Sequence, residues 1–214
     1  MNDIAISNGA LLVVFMDQSK RLPKVLRSVD NGKSWDESYM QNIMGSPKAL
    51  AVDPANQSVV YAACRNIYGN TGKDIIGYAL KSTNSGKTWE RIYETKSKDY
   101  VFDVFVDPNN SDNVFFGANH GIFISHDGGE NWKKSFDSRC ESLHITTKGE
   151  IYALTKKGIV RSDDNGSNWK VILNSPSNWF SMGNNSSIFR HLYVDEKNGK
   201  LYFASSSGLI KVDL

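Results

Sequence analysis

The sequence predicts an all-β fold assembled from repeated short sheets, and three observations predict it. A template of Ser, any residue, Asp or Asn, two turn residues ending in Gly, two more and then Trp occurs four times, as Ser28 to Trp35, Ser82 to Trp89, Ser125 to Trp132 and Ser162 to Trp169. The copies start about 37 to 54 residues apart, a spacing that suits one four-stranded sheet per repeat. No run of ten or more residues carries a helical period, whereas short runs rich in Val, Ile, Phe and Tyr alternate with turn residues along the whole chain. Together these predict a β-propeller of about five blades, with the last blade incomplete, filling residues 1–214 as a single domain.

The elements follow in order within each repeat. A first strand (Ile4 to Ser7, Ala49 to Val52, Val101 to Val106, Leu143 to Thr146, Arg190 to Val194) leads into a turn, marked by Asp53-Pro54, Asp107-Pro108 or Asp195-Glu196. A second strand reads Leu11 to Met16, Val59 to Ala62, Val114 to Gly117, Ile151 to Leu154 and Leu201 to Ala204. A third, such as Gly121 to Ile124 or Gly158 to Arg161, runs into the Ser–Trp template, and a fourth is expected to start at the Trp. The last unit reaches its third strand, Gly208 to Lys211, shortly before Leu214. The blades therefore fall at approximately 2–40, 47–96, 99–137, 141–175 and 187–214.

Within the template each residue type has a physical reason. Gly32, Gly86, Gly129 and Gly166 stand where a tight turn demands positive φ, which glycine adopts at little steric cost. Asp30, Asp127 and Asp164 can accept hydrogen bonds from the turn's own N–H groups, and Asn84, the one departure, can do so through its amide oxygen. Ser28, Ser82, Ser125 and Ser162 open the turns, and Trp35, Trp89, Trp132 and Trp169 close them with large apolar area for packing between blades. These residues carry a resemblance to the Asp-box, or BNR, repeat of sialidase-like, sortilin-like and photosystem II assembly factor-like β-propellers, and it covers nearly all of the chain. The resemblance implies that the box is the turn between the third and fourth strands of a blade.

Composition narrows the class. With 40% hydrophobic and 22% charged residues the chain can bury a core. Its 25 basic and 23 acidic residues are spread along the length, so no footprint for nucleic acid or for an anionic membrane stands out. The longest apolar run, Leu11 to Met16, is too short to span a bilayer, and no signal peptide or transmembrane segment is recognised; the compartment stays open, although relatives are often secreted. Cys64 and Cys140 lie far apart and read as buried free thiols.

Two motifs inside the boxes invite other readings. Ser85-Gly86-Lys87-Thr88 and Asn31-Gly32-Lys33-Ser34 imitate the end of a phosphate-binding loop, but Lys81 and Arg27 stand where its leading Gly belongs and no helix follows. Asp163-Asp164-Asn165-Gly166 resembles half a calcium loop without its first ligand or distal Glu, and Asp107 to Asp112 reads as an Asp-Pro turn. No metal site and no cofactor is expected.

Because strands of a blade alternate in direction, their connections sort onto two faces. The boxes share one face with the Asp-Pro turns. The other, the loop face, collects the second-to-third connections and those between blades, and there the chain places its long loops: Met16 to Pro23, Cys64 to Ile75, Tyr39 to Pro47 and Asn174 to Ser187. Trp179 sits in the last of these, where no repeat demands it. One reading joins it with Phe180, Tyr68, Arg65, Asn66, Asn70, Asn184 and Arg190 in a surface that stacks on and hydrogen-bonds a glycan, protein or peptide; the other has the loop plugging its own apolar residues into the propeller mouth.

The resemblance to sialidases implies a test for catalysis, since those enzymes use three arginines, a Tyr–Glu nucleophile pair and an acid Asp. Arg21, Arg65, Arg139 and Arg190 are expected near the loop face, and the start of Phe189-Arg190-His191 is similar to the arginine motif preceding the first box in sialidases, but here it falls in the last unit and continues with His and Leu. Asp17, Asp74, Asp99 and Asp103 are the loop-face carboxylates available to a glycosidase pair. Of the histidines, His126 and His144 suggest no metal site, while His120 and His191 could approach the loop face. The reading that results is a non-enzymatic binding or scaffolding propeller, in line with non-catalytic sortilin-type and photosystem II assembly factor-like relatives. The alternatives are a glycoside hydrolase of sialidase or xyloglucanase type, or a piece of a larger propeller, with self-association through the incomplete last blade.

Overall fold

The computed structural model of the chain describes residues 3–20, 22–40, 45–66, 76–96, 99–175, 190–205 and 208–214. Every element in them is a strand, and the strands form five antiparallel sheets. Blade 1 comprises β1 (Asp3–Ser7), β2 (Ala10–Asp17), β3 (Leu22–Ser28) and β4 (Asp36–Tyr39). Blade 2 comprises β5 (Ser46–Val52), β6 (Val60–Asn66), β7 (Ile76–Ser82) and β8 (Glu90–Glu94). Blade 3 is β9 (Val101–Val106), β10 (Val114–Ala118), β11 (Gly121–Ser125) and β12 (Lys133–Phe136), and blade 4 is β13 (Cys140–Ile145), β14 (Ile151–Thr155), β15 (Gly158–Ser162) and β16 (Lys170–Asn174). Blade 5 has three strands among the described residues, β17 (Arg190–Asp195), β18 (Lys200–Ser205) and β19 (Gly208–Asp213). Each sheet is a meander in sequence order. No helix among the described residues is long and apolar enough to cross a membrane.

The first strands touch in succession, β1 with β5, β5 with β9, β9 with β13 and β13 with β17, and so form the inner rim around which the blades are arranged. Side-chain acceptors on this rim bind the backbone of the next blade. Asp3 Oδ2 accepts from Leu50 N at 2.7 Å, Asp103 Oδ2 from Leu143 N at 3.0 Å and Ser142 Oγ from Leu192 N at 3.1 Å. At the remaining junction the corresponding residue is Ala49, which has no acceptor.

Strands β10 and β14 are apolar on both faces, with Val114 to Ala118 and Ile151 to Thr155 buried throughout, because each inner blade is packed on two sides. Alternate residues serve alternate neighbours. Val60, Ala62 and Cys64 join Leu12, Val14 and Val25 between blades 1 and 2, whereas Tyr61 and Ala63 join Val104, Val114 and Phe116 between blades 2 and 3. Phe115 and Ile122 meet Leu143, Ile151 and Ala153, and Tyr152, Leu154 and Ile159 meet Leu192, Leu201 and Phe203, in the two junctions that follow. The outermost strands β12 and β16 carry Lys133, Lys134 and Lys170 at the surface. Both cysteines are free and buried, and burial raises each thiol well above its ordinary pKa.

The fourth strands differ from the expectation in one detail. They begin after the box tryptophans, at Asp36, Glu90, Lys133 and Lys170. The indole belongs to the turn, because its Nε1–H donates back to the carbonyl of the box glycine at 2.9–3.1 Å in all four copies.

Candidate functional site

The box end of the propeller is closed by one network repeated four times. In the third box, Ser125 Oγ accepts from Gly129 N at 2.8 Å and donates to Asp127 Oδ1 at 2.6 Å, and the same carboxylate oxygen accepts from Asn131 N at 2.8 Å. Boxes one and four repeat these bonds through Ser28–Asp30–Gly32 and Ser162–Asp164–Gly166. In the second, Asn84 Oδ1 takes the aspartate's place, accepting from Thr88 N at 2.9 Å and from Ser82 Oγ at 3.0 Å, while Gly86 N donates to Ser82 Oγ. The residue before each box glycine, Asn31, Ser85, Gly128 or Asn165, shares its positive φ, so the turn has two consecutive left-handed residues. The serine's double role was not read from the sequence, although its recurrence at the first box position was the available signal.

With the box serines and carboxylates already hydrogen-bonded within their own turns, the boxes offer a ligand little. The bonds from Ser34, Ser28 and Lys33 hold the Asp30 carboxyl at about 2, those from Ser125 and Asn131 hold Asp127 at about 2, and those from Asn168 and Ser162 lower Asp164. A carboxylate with a depressed folded pKa contributes stability that is full above its unfolded value near 4 and is lost as pH falls through the folded value. The chain should therefore lose stability between about pH 4 and pH 2. The triple variant Asp30→Asn, Asp127→Asn, Asp164→Asn, which copies the Asn84 box, should show a shallower loss over that window in urea melts. An unchanged slope would mean that the box carboxylates do not carry it.

The loop face is different. Of the residues singled out there from sequence, Trp179, Phe180, Tyr68, Asn70 and Asn184 lie outside the described residues, as do Arg21 and Asp74. Asn66 ends β6 and Arg190 opens β17, which places both backbones on that face. Arg65, at the end of β6, is described in full. Its guanidinium lies over the Tyr100 ring, 4.0 Å from the centroid, and its Nε is buried without a hydrogen-bond partner among the described residues. Tyr100 is 5.9 Å from Phe102, and the Arg139 guanidinium lies 4.7 Å from the Phe102 ring and pairs with Glu141. Arg65, Tyr100, Phe102, Arg139 and Glu141 thus make an unbroken row of cations and aromatic rings across blades 2, 3 and 4. The four that precede Glu141 are partly exposed, whereas Glu141 is buried.

The row is built on fixed backbone. Phe102 and Glu141 occupy bulges at which β9 and β13 shift register against β10 and β14, which re-aims their side chains relative to the pleat. Tyr100 is held by its own N–H on Asp99 Oδ1 at 2.9 Å and by Asn119 N on its carbonyl at 2.9 Å. Thr95 Oγ1 accepts from Gly77 N and donates to the Asp99 carbonyl, locking that connection to β7. Tyr100 and Phe102 were not singled out from sequence, because residues at a strand start read as core.

The carboxylates available for catalysis have other employment. Asp17 accepts from Ser19 Oγ and N, Lys20 N and the Tyr39 hydroxyl, and these bonds hold it at about 2. Asp99 accepts from His120 N and faces His120 Nδ1 at 3.3 Å. Burial raises the Asp103 carboxyl, against hydrogen bonds from Leu143, Ser142 and Val104 that pull it down. Ser142 Oγ donates directly to Asp103 at 2.9 Å, so the His191 that follows in blade 5 does not stand between them as the base of a serine nucleophile would. Among the described residues no three His, Cys, Asp or Glu side chains are grouped to hold a metal ion.

Comparison with known proteins agrees with this geometry. The BNR/Asp-box repeat family matches residues 123–134, which is the third box with the end of β11. No curated protein sequence matches the chain. Among solved structures, the GH74 enzyme of Niastella koreensis superposes with a TM-score of 0.59 at 18% identity, over 99% of this chain and 37% of that one. The GH74 xyloglucanase of Xanthomonas campestris gives 0.63 at 19% identity, over 97% and 37%. The extracellular domain of a protein assigned as a one-component system from B. thetaiotaomicron gives 0.69 at 12% identity, over 98% and 27%. The chain therefore spans about a third of the length of these neighbours, and at such identities they speak for the fold alone. Four equivalent box turns and meander blades joined at their first strands make this chain a β-propeller, and the third of its boxes matches the BNR/Asp-box repeat family.

Proposed function

We propose that the chain is a non-catalytic binding module whose loop face takes a glycan or peptide ligand along the row Arg65–Tyr100–Phe102–Arg139. The observation that carries this is the buried Arg65 Nε, without a hydrogen-bond partner among the described residues, beside a partly exposed aromatic ring: a donor withdrawn from water in this way is satisfied when a ligand oxygen reaches it. Partly exposed aromatic rings supply flat apolar surface beside it, the combination by which sugar rings and peptide planes are held. The engagement of Asp17, Asp99, Asp103 and Glu141 by protein donors favours binding over hydrolysis, which needs one carboxyl free to protonate a leaving group and a second free to act on the anomeric carbon. Trp179, Phe180, Tyr68, Asn66, Asn70, Asn184 and Arg190 remain part of the proposal, as the residues that the sequence assigns to the same loop face.

The test is a glycan array including xyloglucan oligosaccharides, run beside a displayed random peptide library, with any hit carried into titrations. Arg65→Ala and Tyr100→Ala should each weaken binding by roughly tenfold or more, about 1.4 kcal/mol, with Trp179→Ala as a third arm. Full affinity in both row variants, or turnover of a bound oligosaccharide, would refute the proposal.

A further inference from the structure

Among the described residues, one face of blade 1 and one face of blade 5 have no blade packed against them. Register identifies them. Ile4 and Ile6 pair with Val13 and Leu11 as Leu50 and Val52 pair with Ala62 and Val60, Val104 and Val106 with Phe116 and Val114, and Leu143 and Ile145 with Ala153 and Ile151. In blades 2 to 4 these residues face the preceding blade and are buried or packed against its core, whereas Ile4 and Ile6 are 52% and 62% exposed. The boxes repeat the contrast. Gly86 packs beside Leu12 of blade 1, Gly129 beside Tyr61 and Ile92 of blade 2, and Gly166 beside Phe115 and Ile124 of blade 3, but Gly32 meets only its own Trp35. At the other end, Tyr193 and Leu209 of blade 5 are 58% and 72% exposed on the side that would meet a following blade.

One junction shows what blade 5 is shaped to receive. Between blades 2 and 3, Tyr61 and Lys81 stand opposite each other on β6 and β7, and the Tyr61 hydroxyl (3.0 Å) and Lys81 Nζ (2.8 Å) both donate to the carbonyl of Gly128 in the third box. Tyr202 and Lys211 stand opposite each other at the same register on β18 and β19. The first box has Asn31 in the position of Gly128. Among the described residues, blade 5 thus carries an unused clasp, and blade 1 an unclasped box with its apolar sheet face.

We infer that blade 5 of one copy docks on blade 1 of a second, with Tyr202 and Lys211 donating to the Asn31 carbonyl, and with Tyr193 and Leu209 covering Ile4, Ile6 and Trp35. The contact joins two different surfaces, so it adds copies head to tail, in a ring if the rotation closes and in a chain if it does not.

Light scattering on the 214-residue chain across a wide concentration range tests this. The wild-type mass should rise at least twofold with concentration. Ile6→Asp blocks one surface and Leu209→Asp the other, and since both residues are exposed, each variant should keep the wild-type circular dichroism and melt. Each alone should stay at the mass of one copy, and an equimolar mixture should form a 1:1 pair, because each retains the surface the other has lost. Lys211→Ala should weaken association with no change in melting at low concentration. A wild-type chain that remains single throughout, whether its faces stay open or are covered by closure on itself or by another protein, overturns the inference. So does association that survives in either single variant. Neither result bears on ligand binding at the Arg65 row, which lies on blades 2 to 4.

Discussion

Gly158→Ala is expected to lower stability by about 4 kcal/mol, read as a shift in the midpoint of chemical denaturation. Gly158 opens β15 at φ +124, a conformation open in practice to glycine alone. A Cβ there would fall inside the Leu173 carbonyl oxygen and 2.7 Å from Ser175 N, and both are backbone atoms. They cannot retreat freely. Gly158 pairs with Asn174 across β15 and β16, and Ser175 N donates to the Lys157 carbonyl at 3.1 Å, so widening the gap breaks the sheet edge. The next residue, Ile159, is fully buried between blades 4 and 5, and the displacement would pass into that core. Gly199→Ala is the control. That glycine is also left-handed, at φ +61, but nothing lies within 4 Å of the added carbon, so only the conformational cost of about 1 kcal/mol applies. Equal losses in the two variants would show that backbone conformation rather than collision sets the penalty at Gly158.

The contrast bears on what the sequence could show. Turn glycines, box residues and strands were legible because each is a local matter: a period of two for a half-buried strand, a left-handed residue at a fixed place in a turn. Glycine at the start of the third strand, as in Gly121, Gly158 and Gly208, was visible as a recurrence, yet at Gly121 and Gly158 its reason lies in a carbonyl of the fourth strand, Phe136 O or Leu173 O, that only pairing brings near. The row of guanidiniums and rings was hidden for a related cause. Tyr100 and Phe102 are two apart and read as one face of an ordinary strand, but the register shift beside Phe102 turns it toward Arg139 of the next blade. A bulge is decided by the partner strand and leaves no mark in composition. Arg65 could be placed on the loop face from strand counting, whereas its pairing with Tyr100 needed the packing of blade 2 on blade 3. The long loops, where Trp179, Phe180 and Tyr68 were singled out, carry no periodicity from which position could be read. Whether Ile4 and Ile6 are covered was also beyond a linear reading, since their pattern matches that of the buried residues in every other blade.

That last point yields a second large effect. Trp132→Ala is expected to cost about 3 kcal/mol, and Trp35→Ala less than about 1 kcal/mol, although the two residues hold the same place in equivalent turns. Each indole donates to its own box glycine, at 2.9 Å from Trp132 and 3.0 Å from Trp35, so the turn itself loses the same bond in both variants. The difference lies in the neighbour. The Trp132 ring sits 4.7 Å from Phe116 and 6.0 Å from Tyr93, within the aromatic cluster between blades 2 and 3, and its removal leaves a cavity among rings that cannot close over it. No blade among the described residues packs against Trp35 from that side, and it is 39% exposed. Denaturation at low protein concentration should separate the two variants cleanly. As concentration rises and a second copy covers blade 1, the cost of Trp35→Ala should grow while that of Trp132→Ala stays fixed, because linkage adds the lost docking contact to the first and nothing to the second. Equal costs under dilute conditions would mean that the box tryptophan acts within its own turn, and that the blades are held together by their strands alone.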